Sequence, residues 1–280
     1  MPPYRLIAID IDGTLLDSGS QLRPAVRDAL RHADDAGVHV LLCTGRRYRT
    51  ALPVAQDAGL ALPIVCHSGA LAKETGGHHT VHCRPLGRAA LDALLDALAD
   101  ERLTPFAYTD TYERGRDFVV ERDAQLTIYH EDYLAKNHGV FAEVDSLRED
   151  LGADVVQVCT FAHLGELREI RGRLDDRLGG LVTSHLLSAP AYRGHFLEFQ
   201  ARDASKWAAI TALAHADGIA ADHIAAIGDN ENDISMLRAA GLGVAMGNAD
   251  YAVKSAADVV TASNDDDGVA RVIEKILEDA

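Results

Sequence analysis

Short apolar runs that stop at small or acidic residues recur along the chain, with amphipathic stretches between them. Leu6 to Ile9 runs straight into Asp10, Asp12 and Gly13 and predicts a buried strand ending in a turn. Pro24 to Ala36 predicts a helix, with proline in its first turn and Gly37 past its end. Val38 to Leu42 predicts a second strand, Tyr48 to Ala58 a helix, Pro63 to Cys66 a short strand, and Gly76-Gly77 a hairpin turn. Around Arg84 to Leu86 the pattern changes. Helices are expected at Arg88 to Glu101, Asp123 to Lys136 and Gly165 to Leu178, and strands at Thr104 to Thr109, Asp117 to Glu121, Val155 to Phe161 and Leu181 to Leu187. Phe196 to Phe199 is expected to return the chain to the first pattern. A helix follows over Ala208 to Ala214, with Ser205 as its cap. Ile224 to Gly228, Leu242 to Met246 and Asp258 to Val260 then predict strands, with helices at Ile234 to Ala240 and Asp267 to Leu277.

This alternation argues an α/β fold with a doubly wound parallel sheet. A chain of 280 residues can hold one large or two medium domains. A net charge of −16 disfavours nucleic acid and acidic membranes as partners. No run approaches the length of a membrane span, and the short apolar run before Asp10 does not read as a signal peptide. The four cysteines form no close pair and read as free thiols, which suits a cytoplasmic protein. The histidines show no zinc spacing. Tyr108, Tyr112, Arg114, Arg116, Tyr192, Arg193 and His195 read as ordinary surface.

Four strand ends carry candidate chemistry. Asp10 and Asp12 are spaced to share a face at the C-terminal edge of the first strand, where open α/β sheets keep their sites. Such a pair can supply a nucleophile and a proton shuttle. Thr44-Gly45 ends the second strand with a hydroxyl and backbone donors suited to phosphoryl oxygens. Lys206 falls in the first turn of a helix, where the helix dipole disfavours a cation, so an anion is expected nearby. Gly228 to Asp233 is another buried strand running into acids. Each segment alone has an ordinary reading as a turn, a cap or a solvated side chain.

Together, in this order, they resemble the haloacid dehalogenase (HAD) phosphatase superfamily. Asp10 to Thr14, Thr44-Gly45-Arg46, Lys206 and Gly228 to Asp233 match its four motifs. The wide gap between the second and third, and Val244 to Ala249 after the fourth, point to the Cof-like branch. The resemblance implies a Rossmann-like core over 1–84 and 191–280, with an inserted α/β cap over 85–190. It implies Mg²⁺-dependent hydrolysis of a small phosphorylated metabolite, a sugar phosphate by preference, through an aspartyl-phosphate on Asp10. Asp12 would be the general acid/base, with its backbone carbonyl on the metal. Thr44, Gly45, Lys206 and Asn232 would hold the phosphoryl group, Asp10, Asp12 and Asp229 the metal, and Asp233 and Asn248 would support them. The assembly would be a monomer or homodimer. Two alternatives stand beside this reading: a phosphosugar mutase using the same carboxylates, and a non-catalytic metabolite-binding protein. Trp207 and Ser68 depart from the branch, which usually has glycine and asparagine there; Trp207 reads as core packing.

Overall fold

Four consecutive apolar residues leave no polar side for a strand to show to water, so such a strand must be covered on both faces. In the computed structural model, which describes residues 3–152, 154–188 and 191–278, all four residues of β1 (Leu6–Ile9) are buried. It lies inside a five-stranded sheet. β2 (His39–Leu42) pairs parallel on one side, with Ile7 opposite Val40. On the other side β12 (Ile224–Gly228) pairs parallel, with Ile7 opposite Ala225. β13 (Leu242–Ala245) and β14 (Val259–Val260) extend the sheet beyond β12, giving the order β14-β13-β12-β1-β2. The chain leaves β1 toward one edge and returns much later on the other. The gap between β1 and β12 is therefore a topological switch point, the place where open parallel sheets bind ligands at the strands' C-terminal ends.

The helices of this unit follow the sequence pattern closely. α1 (Pro24–Asp35) buries Val26, Ala29, Leu30 and Ala33 on one stripe. α2 (Tyr48–Asp57), α7 (Lys206–Ala216), α8 (Ile234–Ala239) and α10 (Gly268–Glu278) supply the other covers, and α9 (Tyr251–Lys254) is a single turn that the pattern did not announce. Trp207 packs half-buried against the core that contains Ile210 and Leu237. β3 (Ile64–Cys66) is not a full member of the parallel sheet. It touches β2 by one parallel bridge, Cys43 to Val65, and pairs antiparallel with β4 (Leu71–Lys73) in a small sheet completed by β5 (Thr80–Cys83). The reason is the reversal at His67, Ser68 and Gly69, all with positive φ, which folds the chain back after three residues of strand.

Compactness divides the chain into Met1–His82 with Ser205–Ala280, and Cys83–Ala204. The second unit holds a six-stranded sheet, order β10-β11-β9-β6-β7-β8, made of β6 (Phe106–Thr109), β7 (Phe118–Glu121), β8 (Phe141–Val144), β9 (Val155–Ala162), β10 (Val182–Ser188) and β11 (His195–Ala201). α3 (Arg88–Asp100) and α6 (Leu164–Leu178) pack Leu91, Leu94, Leu98, Leu167, Ile170 and Leu174 in one core with the sheet residues Val158, Leu197 and Phe199. Phe106, Phe118, Phe161 and Phe196 join Tyr133 of α4 (Ile128–Lys136) in a ring cluster. Tyr108 and Tyr192, read as surface from the sequence, belong to this cluster; the Tyr108 hydroxyl donates to the Tyr133 hydroxyl at 3.0 Å.

Three expectations change here. The helix expected from Asp123 starts at Ile128, because Thr127 caps it, its side chain accepting the Tyr129 N–H. β8 and α5 (Leu147–Asp150), four residues each, were not foreseen. The stretch from Phe196 to Phe199 does not return to the parallel core. It lies in β11, antiparallel to β9 and β10, so the change of unit comes at 204–205 rather than 190–191.

Candidate active site

The ends of β1, β2, β12 and β13 share the C-terminal edge of the parallel sheet, and each delivers a polar residue there. Asp10 follows β1 directly. Its N–H still belongs to the ladder, donating to Ile227 O at 3.0 Å, and its carbonyl accepts the Leu15 N–H across the turn. The carboxylate is thereby fixed by backbone and is almost fully buried.

The anion expected near Lys206 belongs to the protein itself. Ser205 caps α7 by accepting the Ala208 N–H at 3.1 Å, which places Lys206 at the first helical position, wholly buried. Its Nζ donates to Asp10 Oδ1 at 2.5 Å and to Asp233 Oδ1 at 2.6 Å. Asp233 Oδ2 accepts the N–H groups of Asp229 and Asn230, both at 3.0 Å, and so shapes the loop after β12. That loop presents Asp229 to the turn after β1. Thr14 Oγ1 donates to Asp229 Oδ1 at 2.8 Å, and a Cβ on Gly13, whose φ is +80°, would sit 2.4 Å from Asp229 Oδ2. Glycine is required there on both counts.

Asp10, Asp229 and Asp233 offer ligand atoms within 4.8 Å of one another. Burial raises the Asp10 carboxyl well above the usual range, Lys206 opposes this, and Asp233 and Asp229 add to it. Asp229 is pushed up to about 7, by burial first and then by Asp233, against the Thr14 hydrogen bond and Lys206. Burial alone would lower the Lys206 ammonium, but its two carboxylate partners outweigh it and the net shift is upward. Two buried carboxylates and a partly buried third, Asp229, thus face a single buried ammonium, an arrangement that favours a further cation. Among the described residues, Asp10 Oδ2 and Asp229 Oδ2 accept no hydrogen bond, and no backbone N–H bonds to the Asp12 carbonyl. Asp233 has both oxygens engaged. Hard oxygen donors of this kind fit Mg²⁺.

The remaining expected residues are placed as follows. Thr44 lies just past the end of β2 and is buried; its N–H donates to Val65 O and its hydroxyl accepts the Arg46 N–H at 3.0 Å, with Gly45 between them. Asn232 is buried, and its Nδ2 donates to the Ser68 hydroxyl at 3.0 Å. Ser68 and His67 are in the left-handed region, at φ 53° and 49°, a conformation that costs free energy in non-glycine residues. Gly69 follows at φ +103°, where a Cβ would come 2.0 Å from Ser205 O, so the reversal packs directly under the start of α7. Asn248 lies after β13; its Nδ2 donates to Gly13 O at 2.8 Å.

Three contributors carried no assigned role in the sequence reading. Thr14, inside the first motif, orients Asp229. Arg46, inside the second, grips Asp12. Asn264 is buried, donates its Nδ2 to Leu16 O at 2.9 Å and its N–H to Asn248 Oδ1 at 3.1 Å, and so holds the same turn from the far end of the chain. Only the first two lie in a recognisable motif. Among the described residues no helix is long and apolar enough to cross a membrane. The described cysteines are free, and Cys43, Cys66 and Cys159 are buried.

The chain has known relatives. A profile of haloacid dehalogenase-like hydrolases matches residues 7–273. A Bacillus subtilis 5-amino-6-(5-phospho-D-ribitylamino)uracil phosphatase, YitU, is 31% identical over 98% of this chain and 97% of its own. The Escherichia coli pyridoxal phosphate phosphatase YbhA is 30% identical over 96% of this chain and 97% of its own. A haloacid dehalogenase-like hydrolase from Bacteroides thetaiotaomicron superposes with a TM-score of 0.77 at 28% identity, over 98% of this chain and 99% of that one. Family profile, whole-length relatives and fold agree: the chain belongs to the haloacid dehalogenase-like hydrolases and is a phosphoric monoester hydrolase of that family.

Proposed function

We propose that the chain is a Mg²⁺-dependent phosphatase that hydrolyses a small phosphorylated metabolite through an aspartyl-phosphate on Asp10. The observation that carries this reading is the buried contact between Lys206 and Asp10 beside Asp229. One oxygen of Asp10 is held by the ammonium, and the other is left without a hydrogen bond for attack on phosphorus.

Asp10, the Asp12 carbonyl and Asp229 would hold Mg²⁺, which would offset the repulsion between the carboxylates and the incoming phosphate. Thr44 and the backbone at Gly45 receive the equatorial oxygens, and Lys206 offsets the charge that develops as the bond to Asp10 forms. Asn232, held by Ser68, lines the same place. Asp12 gives its proton to the leaving alkoxide as the ester P–O bond breaks, then takes a proton from the water that attacks the acyl phosphate. Asp233 holds Lys206 and the Asp229 loop in place, and Asn248 holds Gly13. The second unit is read as the family's cap, the part that would select the organic portion of the ester. The relatives named for an aminouracil phosphate and for pyridoxal phosphate support a small soluble substrate. A sugar phosphate is the first class to try.

The test is phosphate release from a panel of sugar phosphates, pyridoxal phosphate and a ribityl phosphate, with Mg²⁺ and with excess chelator. Release from at least one ester that needs Mg²⁺ is expected. Folded protein that releases phosphate equally well in chelator would overturn the metal assignment, and no release from any ester would overturn the activity.

A further inference from the structure

Asp12 stands apart from the other acids of the site. Its side chain is about half exposed, at 58%, on a turn that leaves a free carboxylate several rotamers. Arg46 removes that freedom. Nε donates to Asp12 Oδ2 at 2.6 Å and Nη2 to Oδ1 at 2.5 Å, the two-pronged arrangement that fixes a carboxylate's plane as well as its distance. The third arm of the guanidinium, Nη1, donates to Thr50 O in the first turn of α2 at 3.2 Å. The backbone of Arg46 is held too: its N–H donates to Thr44 Oγ1, and its carbonyl accepts the His67 N–H at 3.1 Å. The residue is anchored at both ends and spans from the hydroxyl just past β2 to the carboxylate that follows β1.

A pair this open to water contributes little to stability. Its effect is on orientation. Each carboxylate oxygen also keeps a second lone pair, so the clamp leaves room for the proton that Asp12 carries. We propose that Arg46 is a positioning residue for proton transfer by Asp12, tying the direction of the proton donor to the segment that seats the phosphoryl group. Arg46 exchanges no proton; it sets where the Asp12 O–H points when the ester P–O bond breaks and the alkoxide takes the proton. The inference rests on the role given to Asp12 above.

The experiment compares Arg46→Gln and Arg46→Lys on two esters with Mg²⁺: a primary alkyl phosphate from the panel, whose alkoxide must be protonated, and p-nitrophenyl phosphate, whose nitrophenolate leaves unaided. The kcat/KM reports steps up to phosphoryl transfer to the enzyme. For the alkyl ester it should fall about tenfold to a hundredfold in both variants, through kcat with KM within about twofold. For the nitrophenyl ester it should stay within about threefold. Lysine should not rescue, because it keeps the charge and loses the fork. Equal losses on the two esters, full rescue by lysine, or no loss on either would overturn the inference. Asp12→Asn is the control. If that variant shows no dependence on the leaving group, the role of Asp12 itself falls. If it does and the Arg46 variants do not, only the role of Arg46 falls. In the Asp12→Asn background, Arg46→Gln should cost nothing further on the alkyl ester.

Discussion

All six phenylalanines of the chain lie in the second unit, and none in the first. The two units use burial for different ends. In Cys83–Ala204, rings pack on rings: Tyr133 and Phe161 have centroids 4.7 Å apart, and Phe106 meets Phe118 at 5.5 Å and Phe161 at 5.2 Å. In Met1–His82 with Ser205–Ala280, the strands β1, β12 and β13 are built from Ile, Leu, Val, Ala and Gly, and the space beside them is taken by Asp10, Lys206 and Asp233. Small residues let backbones come close, as Gly13 does to Asp229, and close backbones are what hold short acidic side chains at a strand edge. One unit gains stability from its interior. The other keeps in its interior a set of charges that stability alone would not select.

Substitutions should separate these two uses. The largest effect is expected from Asp10→Asn, which keeps shape and removes the attacking anion. Phosphate release should fall at least about a thousandfold while thermal melting stays close to that of the parent chain. Near-normal turnover would end the assignment of Asp10. Phe161→Ala should do the reverse. Removing a fully buried ring should cost about 3–5 kcal/mol in denaturant unfolding, with p-nitrophenyl phosphate turnover largely kept well below the melting temperature. A loss under about 1 kcal/mol would show that the ring cluster is not what holds the second unit.

A third test uses pH. Asp229 titrates near 7 in the folded chain against an ordinary 3.8, and Asp10 is raised in the same direction. Between those values the folded protein binds more protons than the unfolded one. Without metal, its stability should therefore fall as pH rises from about 4 to about 7. A divalent cation must displace those protons, so Mg²⁺ should raise the melting temperature more at pH about 8 than at pH about 5. Asp229→Asn should flatten the metal-free slope; an unchanged slope would mean that other groups set it. The smallest effect is expected from Asn264→Ala. Leaving the Leu16 carbonyl unpaired should cost about 1–3 kcal/mol, with a modest loss of turnover as the turn after β1 loosens. A melting curve identical to that of the parent chain would show that water replaces the amide.

What was legible in the sequence is what short-range pattern determines. The apolar run of β1, the proline and glycine bounding α1, and the Ser205 cap of α7 are each decided within a few residues. The meeting of Asp10 with Lys206, 196 positions apart, was legible only because both sit in motifs whose order is known. The start of α4 was misread because a capping threonine outweighs the weak pattern before it. β8 and α5 are too short to show a period. The apolar residues of Phe196 to Phe199 mark a buried segment without saying which sheet takes it. The grip of Arg46 on Asp12 and the reach of Asn264 to Leu16 depend on tertiary placement, and no spacing encodes them.

The order of strands also sets an order of events during synthesis. β1 is made well ahead of its neighbour β12, which begins at Ile224, and well ahead of Lys206 and Asp229. At a synthesis rate of about 5–20 residues per second, β1 waits on the order of ten seconds or more for its second flank. Residues 83–204 emerge in that interval and can collapse around their rings first, since domains fold as units. The first unit must then close a loop of that whole insertion to complete its sheet, a non-local step and for that reason a slow one. The carboxylates meet their lysine only when the sheet closes, so a chain stopped anywhere before Lys206 has Asp10 without its counter-ion.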